Sequence, residues 1–287
     1  MKNYIKLMRP QHYIKNFLIF FPLIFSGQFF DLKKLVPTLF AFLAFSFCSS
    51  VVYIINDIKD KEKDKIHEKK KNRPIASEII SVKSASILAI LLFILSIFFQ
   101  YLAVYKIIHI SFIYLLIYLI INILYSFGLK DIPLVDIFIL SMGFLIRVIF
   151  GASILKIEVS NWLYLTIMSA AFYLGLGKRR NEIKKSGNKS REVLKYYNEA
   201  FLDKNMYMCL SLSIMFYSLW TVDSNNIVKF GNKLVLTVPF VILILMKYSL
   251  NIEGDCLGDP VDLVLNDKVL AILILLYGII VMTIVYI

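Results

Sequence analysis

Nine apolar stretches of roughly membrane-spanning length follow one another along this chain, and they constrain its fold more than any other feature. They lie at roughly 17–30, 35–55, 82–102, 104–125, 133–153, 160–177, 205–222, 234–250 and 269–286. A transmembrane helix needs about 20 predominantly apolar residues. One such stretch is compatible with a buried helix of a soluble protein, but nine of them in a chain that is 59% hydrophobic argue against that class. The sequence therefore predicts an all-α integral membrane protein with about nine transmembrane helices, the first of them bent by Pro22.

The distribution of Lys and Arg predicts how the chain crosses the membrane. Of the 32, Arg147 lies deep within a span, and only six lie on one side of the membrane: Lys33, Lys34, Lys106, Lys156, Lys229 and Lys233. The other 25 fall in the N-terminal stretch and in or within two residues of the loops near 56–81, 126–132, 178–204 and 247–268. Because cytoplasmic loops carry the excess of Lys and Arg, these regions are predicted to be cytoplasmic. Topology accounts for most of the net charge of +12, so the charge gives no reason to predict a nucleic-acid partner.

The spans and loops follow one another without a Gly/Ser-rich linker or a soluble domain, which predicts a single transmembrane domain over residues 1–287. Its longest charged loops lie near 56–81 and 178–204. The cysteines and histidines are too scattered for a disulfide framework or a zinc site. They are Cys48, Cys209, Cys256, His12, His67 and His109.

A group of oxygen ligands stands directly after the second apolar stretch. Asn56, Asp60 and Asp64 are spaced i, i+4 and i+8, so a helix stacks them on one face, with Asp57 beside them. Mg²⁺ binds through one or two carboxylates together with substrate phosphates. A solvated surface helix is the alternative, because Lys alternates with acidic residues here. The helical spacing of the oxygen ligands, in contrast to the alternating lysines, favours a metal site.

Basic residues flank this acidic motif in sequence. Lys70 and Arg73 follow it, and Arg73 precedes Pro74, which holds the arginine backbone extended. Lys15 and Asn16 stand at the start of the first span. All of these residues are also explained by the charge bias of cytoplasmic segments, so phosphate binding is one of two interpretations of equal weight.

Two ionisable residues fall inside the fifth span, Asp136 and Arg147. Such residues are costly in a membrane and usually face the protein interior, so a functional role is the default hypothesis. They are eleven residues apart, about three helical turns, which places them on one helix face but too far apart to pair. Each therefore needs a partner elsewhere. Tyr125 and Lys130 precede this span on the cytoplasmic side.

The sixth span ends in a cluster of charge, Lys178-Arg179-Arg180-Asn181-Glu182. The cations suit the cytoplasmic side of a membrane, but they also suit phosphate binding, and Glu182 adds a second potential metal ligand. Gly175 and Gly177, just before the cluster, are predicted to let a ligand approach the backbone closely.

Taken together and in order, these motifs resemble the UbiA-type intramembrane prenyltransferase superfamily. Its mark is N-D-x-x-D-x-x-x-D at the end of the second helix, which residues 56–64 match. Within the superfamily the chain is most similar to members that transfer phosphoribose to a polyprenyl phosphate. The residues that carry this likeness are Arg9, Pro10, Lys15, Asn16, His67, Lys70, Arg73, Pro74, Tyr125, Ser126, Leu129, Lys130, Asp136, Gly143, Phe144, Arg147, Gly177, Lys178, Arg179, Arg180, Glu182, Gly258, Asp259, Pro260, Asp262 and Asp267.

The resemblance implies a helical bundle with a central cavity open to the cytoplasm, in a bacterial cytoplasmic membrane. The activity it implies is Mg²⁺-dependent transfer of 5-phosphoribose from phosphoribosyl diphosphate to a polyprenyl phosphate, for a cell-envelope glycan precursor. The metal ligands are then expected to be Asn56, Asp57, Asp60 and Asp64. The expected phosphate-binding cations are Arg73, Lys130, Lys178 and Arg179. The residues expected to act in catalysis are Asp57, Asp60, Asp64 and Lys130. Candidates for the lipid phosphate are Lys15, Asn16 and Arg147, and Lys70, Tyr125 and Glu182 complete the substrate-binding set.

Two other functions remain open. An aromatic prenyltransferase of the quinone or haem type would use a polyprenyl diphosphate donor, and a second acidic motif after the sixth span would serve its metal ions. This chain has the cations of residues 178–180 at that place instead, which favours a substrate with an additional phosphate. A non-catalytic transporter, in which the charges only set the topology, is the third function considered.

Overall fold

The computed structural model describes residues 2–66, 70–106, 109–186, 192–254 and 260–287. All regular structure in these ranges is helical, as the sequence predicts. The α-helices are α1 Lys2–Met8, α2 Phe21–Phe25, α3 Leu32–Lys59, α4 Lys61–Ile66, α5 Val82–Val104, α6 Ile110–Ser126, α7 Val135–Leu155, α8 Asn161–Ser186, α9 Glu199–Thr221, α10 Ser224–Phe230, α11 Val238–Glu253, α12 Pro260–Asn266 and α13 Lys268–Tyr286. The 3₁₀ segments are Pro10–Phe20, Lys70–Asn72, Leu129–Asp131, Glu192–Tyr196 and Gly231–Thr237.

Several of these helices have the length and composition of membrane spans. Within the described ranges, five helical segments are long and apolar enough to cross a bilayer: Leu32–Lys59, Val82–Val104, Val135–Leu155, Ser224–Glu253 and Lys268–Tyr286. Helix α6 is a shorter apolar helix. The chain is therefore an integral membrane protein, whereas the predicted number of about nine spans stays a prediction.

The first predicted span does not form one continuous helix. Its residues 17–25 belong to the 3₁₀ segment Pro10–Phe20 and the five-residue helix α2, and Pro22 lies at the start of α2. Residues 26–30 are not helical. A proline has no N–H to donate, so it is tolerated at the start of a helix and not in its interior. The bend predicted at Pro22 is thus a change from one helical segment to another.

The polar residues that begin the long helices have ordinary capping roles. The side chain of Asp31 accepts a hydrogen bond from the backbone N–H of Lys33 at the start of α3, and Ser81 accepts one from Ser84 at the start of α5. Asn198 and Asp267 do the same for α9 and α13. Such caps satisfy backbone donors that have no partner within the helix.

The chain divides into two compact units. The first comprises residues Met1–Lys130 and Ile146–Glu158. Helix α3 packs on α5 through a core of small and branched side chains that includes Val51, Ile54, Ala85 and Ala89. The Ser96 hydroxyl of α5 donates to the carbonyl of Ala44, which ties the two helices together by a buried polar contact (2.7 Å).

The second unit comprises residues Asp131–Leu145 and Val159–Ile287. Its core contains Tyr173, Met206 and Ile252. The two glycines of α8 are in close contact with this core: a Cβ on Gly177 would lie 2.7 Å from Ile252, and one on Gly175 would lie 3.2 Å from Ile137. The prediction that these glycines admit a ligand was therefore wrong, since they allow close helix packing.

Candidate active site

The acidic motif lies where α3 ends and α4 begins. The backbone N–H of Asp60 donates to the carbonyl of Asn56 (2.9 Å), and that of Asp64 donates to the carbonyl of Asp60 (2.8 Å). This hydrogen-bond ladder continues across the junction between the two helices, so the predicted helical column of oxygen ligands is present. Asp57 and Asp64 are nevertheless buried, with exposed fractions of 2% and 3%. Buried carboxylates need partners, because an unpaired charge is costly away from water.

Two arginines supply partners for the buried carboxylates. The Nη2 of Arg9 lies 2.5 Å from Oδ1 of Asp57. The Nη1 of Arg73 lies 3.0 Å from the same oxygen and 2.6 Å from Oδ2 of Asp64, so one guanidinium nitrogen bridges two carboxylates. Arg73 was predicted to lie at this site, and the structure places it there. Arg9 is a member of the site that the sequence interpretation left out.

Lys130 is the partner of the third carboxylate. Its Nζ lies 2.6 Å from Oδ1 and 2.9 Å from Oδ2 of Asp60, although the two residues are far apart in sequence. The hydroxyl of Ser126 donates to Oδ1 of Asn56 (3.2 Å), so the end of α6 also reaches the motif. The predicted neighbour Tyr125 is half-buried beside Ser126.

The ion pairs make the site close to neutral. The three carboxylates of Asp57, Asp60 and Asp64 face three cations, Arg9, Arg73 and Lys130. Burial raises the pKa of the Asp64 carboxyl, while the charges of Arg73 and Lys70 oppose that shift. The influence of Lys70 on Asp64 places this predicted cation near the motif.

The oxygen donors suit a divalent cation in their chemistry. Within the described ranges, no group of three or more His, Cys, Asp or Glu side chains is arranged to hold a metal ion. Asp57 and Asp64, however, both contact one nitrogen of Arg73, so a cation that replaces this nitrogen meets two carboxylates. Mg²⁺ binds oxygen at about 2.0–2.1 Å and takes its remaining ligands from water and substrate phosphates. The residues therefore fit Mg²⁺ when phosphate oxygens complete the ligand set.

Asn16 and Arg147, two predicted substrate-binding residues, contact each other. The Nε of Arg147 donates to Oδ1 of Asn16 (2.7 Å), and Nδ2 of Asn16 donates to the hydroxyl of Ser46 (3.0 Å). The guanidinium lies 4.9 Å from the ring centroids of both Phe45 and Tyr118. Ser46 precedes the acidic motif by three turns of α3, about 16 Å along the helix. Lys15, the third predicted residue of this group, is half-buried.

A second charged cluster lies in the second unit. Arg179 is fully buried, and its Nε lies 2.5 Å from Oδ2 of Asp136 while its Nη1 lies 2.7 Å from Oε2 of Glu182. The hydroxyl of Tyr197 donates to Oδ1 of Asp136 (2.6 Å). Burial raises the pKa of Tyr197, and its bond to Asp136 adds to the rise, so the hydroxyl stays protonated. The neighbouring Lys178 is half-buried.

This cluster explains why an aspartate stands near the start of α7. The sequence predicted that Asp136 and Arg147 each need a partner elsewhere, and the structure confirms it, with Arg179 and Tyr197 as partners of Asp136. Tyr197 lies outside every motif of the sequence analysis, since a tyrosine in a charged loop carries no signal of its own. His67, Gly258 and Asp259 of the predicted pattern lie outside the described residues.

The fold and the acidic motif define an intramembrane transferase of a known class. Residues 17–250 match the model of the UbiA prenyltransferase family, and the chain belongs to this family. It is 32% identical to decaprenyl-phosphate phosphoribosyltransferase of Corynebacterium glutamicum over 99% of this chain and 86% of the relative. It is 31% identical to the protein of the same name from Mycolicibacterium smegmatis, over 94% of this chain and 88% of the relative.

Solved structures have the same fold. A UbiA homologue from Archaeoglobus fulgidus bound to GPP and Mg²⁺ superposes with a TM-score of 0.71 at 19% identity, over 99% of this chain and 96% of the homologue. The same homologue bound to DMAPP and Mg²⁺ gives a TM-score of 0.70 at 18% identity, over 98% and 99%. At this identity the likeness establishes the fold alone.

Proposed function

We propose that this protein transfers 5-phosphoribose from phosphoribosyl diphosphate to a membrane polyprenyl phosphate and releases diphosphate. The single observation that carries the proposal is the acidic column at the end of α3, with Arg9, Arg73 and Lys130 bound to it. Such a site offers carboxylates to a metal and cations to phosphates. The names of the relatives that match nearly the whole chain support the same acceptor and the same transferred group.

Asp57, Asp60 and Asp64, together with Asn56, would hold Mg²⁺ at this site. When bound, Mg²⁺ neutralises charge on the leaving diphosphate. Arg73 and Lys130 lie within contact distance of these carboxylates and would bind phosphate oxygens beside the metal. Preformed cations of this kind stabilise the charge that develops on the leaving group.

The chemical step needs no nucleophile from the protein. An oxygen of the polyprenyl phosphate, already anionic, forms the new bond to C1 of the ribose while the bond from C1 to the diphosphate oxygen breaks. The electron pair leaves with the diphosphate. The chain's contribution is to hold both substrates in line and to neutralise charge, which suffices for large accelerations in reactions of this type.

Several assignments extend this proposal beyond the acidic column. Lys70 and Tyr125 would assist in binding the sugar diphosphate. We propose that Lys15, Asn16 and Arg147 bind the lipid phosphate. Lys178 and Arg179, together with Glu182, would bind the 5-phosphate of the ribose.

The protein would lie in a bacterial cytoplasmic membrane, cross it about nine times and open its cavity to the cytoplasm. Its product would be a precursor of an envelope glycan.

The test is transfer of label by membranes that contain the overproduced protein. Phosphoribosyl diphosphate labelled in the ribose, polyprenyl phosphate and Mg²⁺ are incubated with these membranes, and the lipid fraction is analysed. Labelled lipid is expected with the wild-type protein and not with Asp60→Asn. If the protein instead consumes a polyprenyl diphosphate and prenylates an aromatic acceptor, the proposal is wrong.

A further inference from the structure

The acidic motif carries its own counter-ions. Asp60 is paired with Lys130, and Asp57 and Asp64 share Arg73, while Arg9 adds a second contact to Asp57. The three negative charges are therefore balanced by three positive ones within contact distance. Among the described residues the motif is thus a group of ion pairs, although a column of aspartates suggests an open acidic surface.

This balance changes which ligand the motif attracts. A divalent cation that approaches without phosphate meets carboxylates whose charge is already compensated, and it must also displace a cation. A diphosphate without metal meets cations whose charge is compensated by the carboxylates. In both cases one half of each ion pair is left without a partner, which is costly where Asp57 and Asp64 are buried.

A complex of the metal with a diphosphate avoids this cost, because it brings both charges at once. The carboxylates exchange their Arg and Lys partners for the metal, and Arg73 and Lys130 exchange the carboxylates for phosphate oxygens. No half of an ion pair remains unpartnered. The absence of a preformed three-ligand metal group within the described ranges agrees with a site that needs phosphate oxygens to complete it.

We propose that Arg73 and Lys130 determine the ligand specificity of the acidic motif, as counter-ions that make it reject free divalent cations and accept the metal together with a diphosphate. Arg9 positions Asp57 for this exchange. Its guanidinium lies 5.1 Å from the ring centroid of Tyr53, and its backbone is in the left-handed region at φ 54°. The inference rests on the proposed function, since it concerns the same site and the same leaving group.

Removal of a counter-ion has opposite effects on the two ligands. In Lys130→Met, Asp60 loses its compensating charge, so the affinity for a free divalent cation rises, on the order of tenfold for one charge at this distance. The affinity for diphosphate in the presence of the metal falls, because a phosphate ligand has been removed. If Lys130 only stabilised the fold, its substitution would lower the affinity for the free divalent cation as well as the affinity for diphosphate with the metal.

The experiment is equilibrium dialysis of the full-length protein in detergent against ⁵⁴Mn²⁺ and ³²P-labelled inorganic diphosphate, each alone and both together. Wild-type protein is expected to retain little of either ligand alone and both when they are supplied together. Lys130→Met and Arg73→Gln are expected to retain more Mn²⁺ alone and less diphosphate with Mn²⁺. Lys63→Met, which removes an exposed cation of α4, is the matched control and should behave as the wild type.

Two results would overturn the inference: wild-type protein that binds Mn²⁺ equally well with and without diphosphate, or counter-ion variants that lose both ligands while they elute as folded protein in gel filtration. The result also separates this inference from the proposed function. Joint binding of Mn²⁺ and diphosphate without any transfer of phosphoribose contradicts the proposed function alone. If the wild-type protein transfers phosphoribose but both variants bind Mn²⁺ alone as weakly as the wild type does, only the inference is contradicted.

Discussion

Asp57 and Asp60 belong to one motif but differ in their surroundings, and this difference separates catalytic from structural effects. The Asp60 side chain is 18% exposed and is paired with Lys130. We expect Asp60→Asn to lower phosphoribose transfer on the order of 100-fold, because a carboxylate that would hold Mg²⁺ against the leaving diphosphate is lost, with little change in the melting temperature. Both are measured on purified protein. Glu62→Gln, which removes an exposed carboxylate of α4, is the control, and equal loss in both variants would contradict a specific role for Asp60.

Asp57→Asn is expected to lower stability as well as activity. Its carboxylate is almost fully buried, and its removal leaves the charges of Arg9 and Arg73 less compensated. Loss of one member of a buried ion pair lowers the free energy of unfolding by about 3–5 kcal/mol. Because both arginines are partly exposed, we expect a loss at the lower end of this range. Thermal unfolding in detergent measures the effect. An unchanged melting temperature would show that the arginines find other partners.

At the residue scale the sequence predicted that Arg73 and Lys130 lie close to the acidic column, and the structure has both in contact with its aspartates. The helical spacing of the oxygen ligands is a local property, so one sequence suffices to find it. Arg9 was missed as a member of this site, because a cation before the first span is fully explained by membrane topology. Which of two cations touches a carboxylate depends on packing between distant segments, and no spacing within the chain encodes that.

At the scale of helices, α7 approaches the 3₁₀ segment Pro10–Phe20 at Gly151. A Cβ at this position would lie 2.1 Å from the carbonyl oxygen of Ile19, a backbone atom that cannot rotate away. We therefore expect Gly151→Ala to destabilise the protein by about 3 kcal/mol. Gly278→Ala in α13 meets nothing within 4 Å and is the control. Thermal unfolding of both variants tests the contact, and equal melting temperatures would contradict it.

The pair of Asp136 and Arg179 ties the start of α7 to the end of α8. Asp136→Asn or Arg179→Met alone is expected to cost about 3–5 kcal/mol, because each leaves a buried charge, and the double variant Asp136→Leu with Arg179→Met should recover much of this loss. Melting temperatures measure the recovery. Phosphoribose transfer by the double variant then tests the proposed phosphate role of Arg179: full activity in a stable double variant would leave Arg179 with a structural role only.

Hydropathy predicted the long helices well and the first span poorly. A run of apolar residues specifies burial in lipid or protein but not which helical form the backbone takes, and Pro22 together with the 3₁₀ segment before it breaks the first run. Gly175 and Gly177 show the same limit. A glycine indicates that another group comes close to the backbone, but the sequence does not identify that group. The fold shows that the side chains of Ile137 and Ile252 occupy these places.

For the whole molecule, the asymmetry of Lys and Arg predicts which side of the membrane each loop faces, and the proposed site requires the acidic motif to face the cytoplasm. Lys63 and Lys106 are exposed residues on either side of α5, a candidate span. In a variant without Cys48, Cys209 and Cys256, we expect Lys106→Cys to react with a membrane-impermeant maleimide in intact cells. Lys63→Cys should react only after the cells are permeabilised. The reverse labelling would place the acidic motif outside the cell, away from cytoplasmic phosphoribosyl diphosphate, and would contradict the proposed function irrespective of the fold.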